Sequence, residues 1–382
     1  MSSNAGLYGY NTVYIYSSAL NMPVASNSPR KGRGALSNPE GRFEIRQREN
    51  FNDGWELQVP EELPPLETTV TPEPARSIIS RNQSPDIPFS QSINPYRGCE
   101  HGCIYCFARP SHAYLNLSPG LDFETKLFYK VHAAELLEKE LSKASYRCQP
   151  IALGANTDPY QPIERKLEIT RSLLVVMQRF RQPVTIITKS TLITRDLDIL
   201  ADMAKLGLAS VMVSVTTLDD GLKRVLEPRT PSARSRLWAM RELAKVNIPV
   251  GVLTAPIIPM VNDADMEHIL EQAAEAGACC AGYVLLRLPH ELKTLFREWL
   301  ELHLPERAEH VMSLIRQSRG GKDYASEFGT RMRGTGQYAE LIAQRFKQAC
   351  KRLKLLHGHR IQLCSTHFQI PSDNPQMNLL AL

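Results

Sequence analysis

Short apolar runs and longer amphipathic segments take turns along the middle of the chain. Ile151–Gly154, Val184–Thr188, Val211–Val215, Val250–Leu253 and Tyr283–Leu286 are apolar and mostly β-branched or aromatic, which predicts buried strands. Between them, Ile169–Phe180, Asp196–Leu206, Ser232–Val246 and Asp265–Ala276 carry apolar residues every three to four positions and predict helices, two of them closed by Gly207 and Gly277. A strand over Phe89–Ile93 comes first. Tyr129–Ala144 predicts the first helix, with Val131, Ala134, Leu137 and Leu141 on one face and Glu135 four before Lys139. The strands are apolar throughout rather than alternating, as in parallel strands covered by helices. About six such units predict an α/β fold, a partial (β/α)6 TIM-type barrel, with ligands at the carboxyl ends of its strands.

The flanks read differently. Residues 1–75 predict an irregular N-terminal extension, with a basic, glycine-rich stretch at Ser28–Gly34 and prolines at 60, 64, 65, 72 and 74; ordered structure is expected from Ile78. The barrel is expected over 76–290. Residues 291–382 predict a helical, charged C-terminal extension over the barrel mouth, Tyr338–Leu355 being its clearest helix.

Composition narrows the class. The 382 residues are 43% hydrophobic with a formal charge of +5, a mildly basic balance that permits a polyanionic partner without requiring one. No apolar run reaches the roughly 20 residues of a membrane span, and Met1–Pro23 lacks a basic-then-apolar leader pattern, so a cytoplasmic protein with no membrane partner is expected. Eight cysteines in that compartment suggest metal or redox chemistry rather than disulfides.

Three of the eight fall within eight residues: Arg97-Gly98-Cys99-Glu100-His101-Gly102-Cys103-Ile104-Tyr105-Cys106 follows the first predicted strand. Thiolates are soft ligands for zinc or iron–sulfur clusters, and the two glycines let the loop wrap around a metal. A zinc site would need a fourth ligand such as His101 or His112, but zinc sites usually pair cysteines and add a distant second pair, and no second Cys-x-x-Cys is present.

Cys-x-x-x-Cys-x-aromatic-Cys resembles the signature of the radical S-adenosylmethionine (SAM) superfamily. Asn94-Pro95-Tyr96-Arg97-Gly98-Cys99, Ala155-Asn156-Thr157-Asp158-Pro159-Tyr160-Gln161-Pro162 and Thr188-Lys189-Ser190 resemble its spore photoproduct lyase-like branch, often labelled DNA repair photolyase. The resemblance spans residues 70 to 290. It implies a [4Fe–4S] cluster on Cys99, Cys103 and Cys106 with one iron left for SAM. One electron from a donor such as flavodoxin or ferredoxin then releases a 5′-deoxyadenosyl radical that abstracts hydrogen from a substrate. It further implies SAM contacts from Tyr105 at the adenine, Asn156 and Asp158 at the amino group, Lys189 at the carboxylate, and Ser214. Pro256–Pro259 would line the adenine pocket, and Glu227 with Arg229, or Arg287, would face SAM or substrate.

Two positions depart from the branch. Spore photoproduct lyase uses a hydrogen-donating cysteine after strand 2 and a tyrosine after the third cluster cysteine. Here Gly154-Ala155-Asn156 and Phe107 stand there, which disfavours dimer repair by that route and leaves the substrate unknown. Nucleic acid stays open as a partner, because Arg331, Arg333, Arg345, Lys347, Lys351, Arg352 and Lys354 make the C-terminal part basic and Ser326–Gly336 is a glycine-rich loop. The alternative is a non-catalytic iron–sulfur or zinc module that binds nucleic acid. Cys279-Cys280 is expected to be core packing.

Overall fold

The computed structural model describes residues 30–44, 66–357 and 361–371. Six strands form its centre: β1 Gln91–Ile93, β2 Ile151–Leu153, β3 Val184–Thr188, β4 Ala209–Ser214, β5 Val250–Ile257 and β6 Cys280–Leu285. They pair in chain order, and every pairing is parallel. A right-handed crossover repeated in one direction puts all the intervening helices on one side, so the sheet curls as a barrel wall does. The sheet stays open. Ser80–Arg81 adds antiparallel to β1 at one edge, and Leu356–His357 adds parallel to β6 at the other. This is the partial (β/α)6 arrangement predicted from the alternation.

The longer helices between the strands are α1 Ala133–Leu141, α2 Ile169–Arg179, α3 Leu197–Lys205, α4 Ala233–Lys245 and α5 Met266–Glu275. Their apolar faces meet the strands in one core, in which Ile93, Leu153, Ile186, Val213 and Val252 lie with Leu173, Leu200, Met240 and Leu270. Three more helices follow: α6 Leu292–His303, α7 Ala308–Gln317 and α8 Gly336–Arg352. α6 and α7 build a second apolar cluster with the cysteine loop. Phe296, Trp299, Val311 and Ile315 surround Cys103, Ile104 and Tyr105, joined by Ala35 from the N-terminal segment. Trp299 is fully buried, and its indole N–H donates to the Val225 carbonyl at 3.0 Å, as a buried tryptophan requires.

Two local expectations change. Tyr129 and Lys130 close a strand, Lys126–Lys130, and do not start the first helix. This strand pairs parallel with Thr69–Glu73 and antiparallel with Tyr96–Arg97, and the first helix begins only at Ala133, after His132 turns the chain at φ 55°. Leu127, Phe128 and Tyr129 favour a pleated surface, and the partner strands lie some thirty and more than fifty residues away, outside any helical window. Thr69–Glu73 itself precedes Ile78, where order was expected to begin. As an edge strand it tolerates Pro72, which cannot donate to a ladder. Most of the expected irregular extension, residues 1–29 and 45–65, lies outside the described residues, as do 358–360 and 372–382. No helix among the described residues is long and apolar enough to cross a membrane.

Candidate functional site

The cysteine loop leaves the carboxyl end of β1 and is fixed almost entirely through its backbone. Gly98 and Gly102 take φ of +76° and +67°, and a Cβ at either would press on Phe123 and Leu127 or on the Glu124 carboxylate. The Cys99 N–H donates to Phe123 O at 2.9 Å and the Ile104 N–H to Leu226 O at 3.2 Å. Beneath the loop lies Arg109, fully buried. Its guanidinium donates to Cys103 O at 2.9 Å, Gly102 O at 3.2 Å, Pro119 O at 3.2 Å and Gly120 O at 2.9 Å, and it pairs with Glu124. Glu124 also accepts the N–H groups of Gly34 at 3.0 Å and Ala35 at 2.9 Å. A buried ion pair is secure only when its remaining donors and acceptors are met, and here they are met by loop backbone. The N-terminal segment, the loop and Arg109 form one unit.

Burial raises the pKa of all three thiols. Cys99 is pushed well above the usual thiol range by burial, then by Asp158 and the other two cysteines; Cys103 reaches about 12 through burial and the Glu227 carboxylate; Cys106 rises through burial, opposed by Arg109. Burial therefore favours the neutral thiols, and ligation of a metal is what would remove their protons. Among the described residues no three His, Cys, Asp or Glu side chains converge closely enough, as they stand, to hold a metal ion. The soft donor set, the two obligatory glycines and the nearby Lys189 and Arg109 cations fit a [4Fe–4S] cluster.

The expected SAM contacts surround this loop. Lys189, one residue past β3, holds its ammonium 5.7 Å from the centre of the Tyr105 ring. The Tyr105 hydroxyl is buried and donates to Glu227, which also accepts from Thr216 at 2.7 Å and is ion-paired with Arg236. Burial alone would raise the Glu227 carboxyl, but Arg236, Lys189 and these hydrogen bonds outweigh it and bring it down to about 2. Ser214 ends β4, buried, and its carbonyl accepts from Arg236 at 3.0 Å. Asn156 is exposed, its N–H donating to Asn94 Oδ1 at 3.0 Å.

Asp158 is turned into its own loop. It accepts from the Tyr160 N–H at 2.9 Å, the Thr188 hydroxyl at 2.7 Å and the Lys189 N–H at 2.7 Å, and it faces His101 at 3.4 Å. Burial would raise its pKa; His101 and these donors lower it to about 2. Its four lone-pair positions are thus engaged by protein groups, and it ties the ends of β2 and β3 to the cysteine loop. On Pro256–Pro259, Ile258 shares the apolar cluster with Tyr105, and Asn262 pins the segment through Ile258 N at 2.7 Å and Thr216 O at 2.8 Å.

Two expectations need correction. Glu227 pairs with Arg236 on α4 and not with Arg229, which pairs with Glu100 at 3.2 Å. The helix brings Arg236 back under β4, and sequence adjacency to Arg229 carries no such information. Cys279 is exposed rather than packed in the core; only Cys280 is buried. Arg331, Arg345 and Arg352, three of the residues that make the C-terminal part basic, are paired with Asp86, Glu267 and Glu271. Arg109 and Glu124 carry no site signal in the sequence, where an Arg or Glu that will be buried looks like any other charged residue; His101, considered there only as a zinc ligand, faces Asp158 instead.

The sequence model of the Radical SAM superfamily matches residues 93–273. An uncharacterized protein of Mycobacterium tuberculosis is 36% identical over 233 residues, covering 60% of this chain and 68% of the relative. An uncharacterized protein of Methanocaldococcus jannaschii is 27% identical over 219 residues, 57% of this chain and 78% of the relative. Among solved structures, spore photoproduct lyase complexed with dinucleoside spore photoproduct superposes with a TM-score of 0.54 at 16% identity, over 76% of this chain and 82% of that one. A variant of the same lyase carries bound AdoMet and the dinucleoside, with a TM-score of 0.52. At this identity the likeness describes the fold.

Proposed function

This chain belongs to the radical SAM superfamily, and on that premise we propose that it is an enzyme whose Cys99, Cys103 and Cys106 hold a [4Fe–4S] cluster with SAM beside it. When bound, the cluster and SAM supply a one-electron reductive cleavage to a 5′-deoxyadenosyl radical, which abstracts hydrogen from a substrate still to be identified. Flavodoxin or ferredoxin is the class of partner that would deliver the electron.

The chain's own residues then have distinct tasks. The three cysteines ligate as thiolates, with Arg109 holding their loop through the Gly102 and Cys103 carbonyls. Lys189 meets the SAM carboxylate as a point charge, and Tyr105, braced by Glu227, flanks the adenine. Asn156 and Ser214 are the further SAM contacts. Asp158 acts by holding the β2 and β3 ends in place around His101. α6 and α7 close apolar surface over the loop and keep water from reactive species.

The observation that carries this reading is the loop itself: three cysteines within eight residues after the first barrel strand, two buried and one half-buried, with a lysine from the third strand end beside Tyr105 of the same loop. The test is anaerobic. The full chain is reconstituted with iron and sulfide, given SAM and dithionite, and assayed for 5′-deoxyadenosine. Its formation, and its loss in Cys103→Ala, is expected. Stoichiometric zinc with no iron and no product would replace this reading by the metal-binding module.

A further inference from the structure

Arg287 lies just past the carboxyl end of β6, on the rim where β1 delivers the cysteine loop. Its guanidinium stands 5.3 Å from the centre of the Phe107 ring, the residue directly after Cys106. Its other contacts are weak for a cation. One terminal nitrogen is 3.4 Å from the Met332 sulfur, the other 3.4 Å from the Tyr324 hydroxyl, and its buried Nε has no hydrogen-bond partner among the described residues.

A second guanidinium sits close by. Arg319 is buried and uses its terminal nitrogens on four carbonyls, those of Leu285, Leu286, Thr330 and Arg331, at 2.8 to 3.2 Å. Burial, and then the charge of Arg287, bring its pKa down to about 10. Arg319 has a structural task, since it ties the end of β6 to the 330–332 segment. Arg287 has no comparable one. Neither is ion-paired with a carboxylate among the described residues, although the arginines Arg42, Arg109, Arg195, Arg236, Arg331 and Arg345 are. Half-burying a guanidinium beside a second one, with one donor unmet, is costly unless an anion arrives to take the donors.

We propose that Arg287, assisted by the Tyr324 hydroxyl, is the subsite for an oxyanion of the substrate, a carboxylate or a phosphate, and that Phe107 forms the wall behind it. This rests on the radical SAM reading, in which the rim beside Cys106 is where the substrate approaches. The guanidinium fork suits the two oxygens of either group, and a hydroxyl 3.4 Å away adds a third donor to the same place. Phe107 bears no hydroxyl, so it offers an apolar face to the guanidinium and donates no hydrogen bond to the anion. The oxyanion would anchor the substrate while leaving its reacting carbon free to face the SAM side of the loop.

The test is calorimetric titration of the reconstituted full chain with inorganic phosphate and, separately, acetate, each with and without saturating SAM and no reductant. One of the two is expected to bind in the presence of SAM, and which one identifies the source as phosphate or carboxylate. Arg287→Gln should weaken that binding about tenfold or more, the size of a lost charge-assisted hydrogen-bond pair, while Arg287→Lys retains part of it and Tyr324→Phe loses less. The lysine and phenylalanine variants give the answer if the glutamine variant does not fold. Equal affinity in wild type and all three variants, binding of neither anion, or anion binding abolished by SAM would each overturn the proposal; the last would make Arg287 a SAM contact. A chain that binds an anion through Arg287 yet makes no 5′-deoxyadenosine would instead overturn the radical SAM reading.

Discussion

Gly34 packs against Gly102 so closely that a Cβ on Gly34 would overlap the Gly102 carbonyl oxygen. Gly102 stands immediately before Cys103, and its carbonyl is held from the other side by Arg109 at 3.2 Å. A segment almost seventy residues earlier in the chain is therefore one wall of the metal-binding loop.

Gly34→Ala is expected to push that wall away. Overpacking against backbone costs about 1–3 kcal/mol, and the displaced element is the loop that presents Cys103. Iron and sulfide content after reconstitution should drop below wild type, with a lower melting temperature. Full iron content would show that the segment and the loop are independent.

Glu124→Gln keeps the side chain's shape and removes its charge. Arg109 then lies fully buried with no anion, and the amide must accept from Gly34 and Ala35 with one oxygen instead of two. Breaking a buried pair in this way costs about 3–5 kcal/mol. Urea unfolding of the full chain measures it, and a loss below 1 kcal/mol would mean that the backbone contacts alone hold the loop.

Lys189→Met should leave the cluster in place and act on SAM. A lost charge-assisted contact to a carboxylate is worth about 1.5–3 kcal/mol, so SAM affinity should fall roughly 10- to 100-fold, and Lys189→Arg should restore part of it. Equilibrium binding of SAM to the reconstituted protein, with iron content measured alongside, separates this from a folding defect. Unchanged affinity would remove Lys189 from the SAM site.

Glu227 gives the chain a signature in acid. Its folded-state carboxyl sits at about 2, below the ordinary 4.5, so the ionised form stabilises the fold. That stabilisation is fully present above pH 4.5 and is lost as pH falls from there toward 2. Glu227→Gln should be less stable than wild type by about 3 kcal/mol near neutrality and should show a flatter stability profile across that acid window, read by thermal melts at a series of pH values. Parallel profiles would place the acid sensitivity elsewhere.

The barrel was legible because its evidence is local. An apolar run such as Val184–Thr188 declares a buried strand, and an amphipathic run such as Ile169–Phe180 declares the helix that covers it, each within a dozen residues. The cysteine motif was legible for the same reason: three donors within eight residues fix a ligand set whatever surrounds them. Lys189 and Ser214 could be assigned to strand ends once the strands were found.

Partners were not legible. The sequence sets Glu227 beside Arg229, yet α4 swings Arg236 beneath β4 to meet it. Asp158 carries the acceptors of a ligand-binding carboxylate, and only the fold shows those positions engaged by His101, Thr188 and the Lys189 N–H. Gly34 lies in a stretch that reads as irregular, and Tyr129–Lys130 reads as the start of a helix, because in each case the deciding contact comes from a distant segment. Periodicity and ligand spacing are properties of neighbouring residues, so the chain states them directly. Burial and the choice of partner depend on which remote surfaces meet, and that is determined only when the whole chain packs.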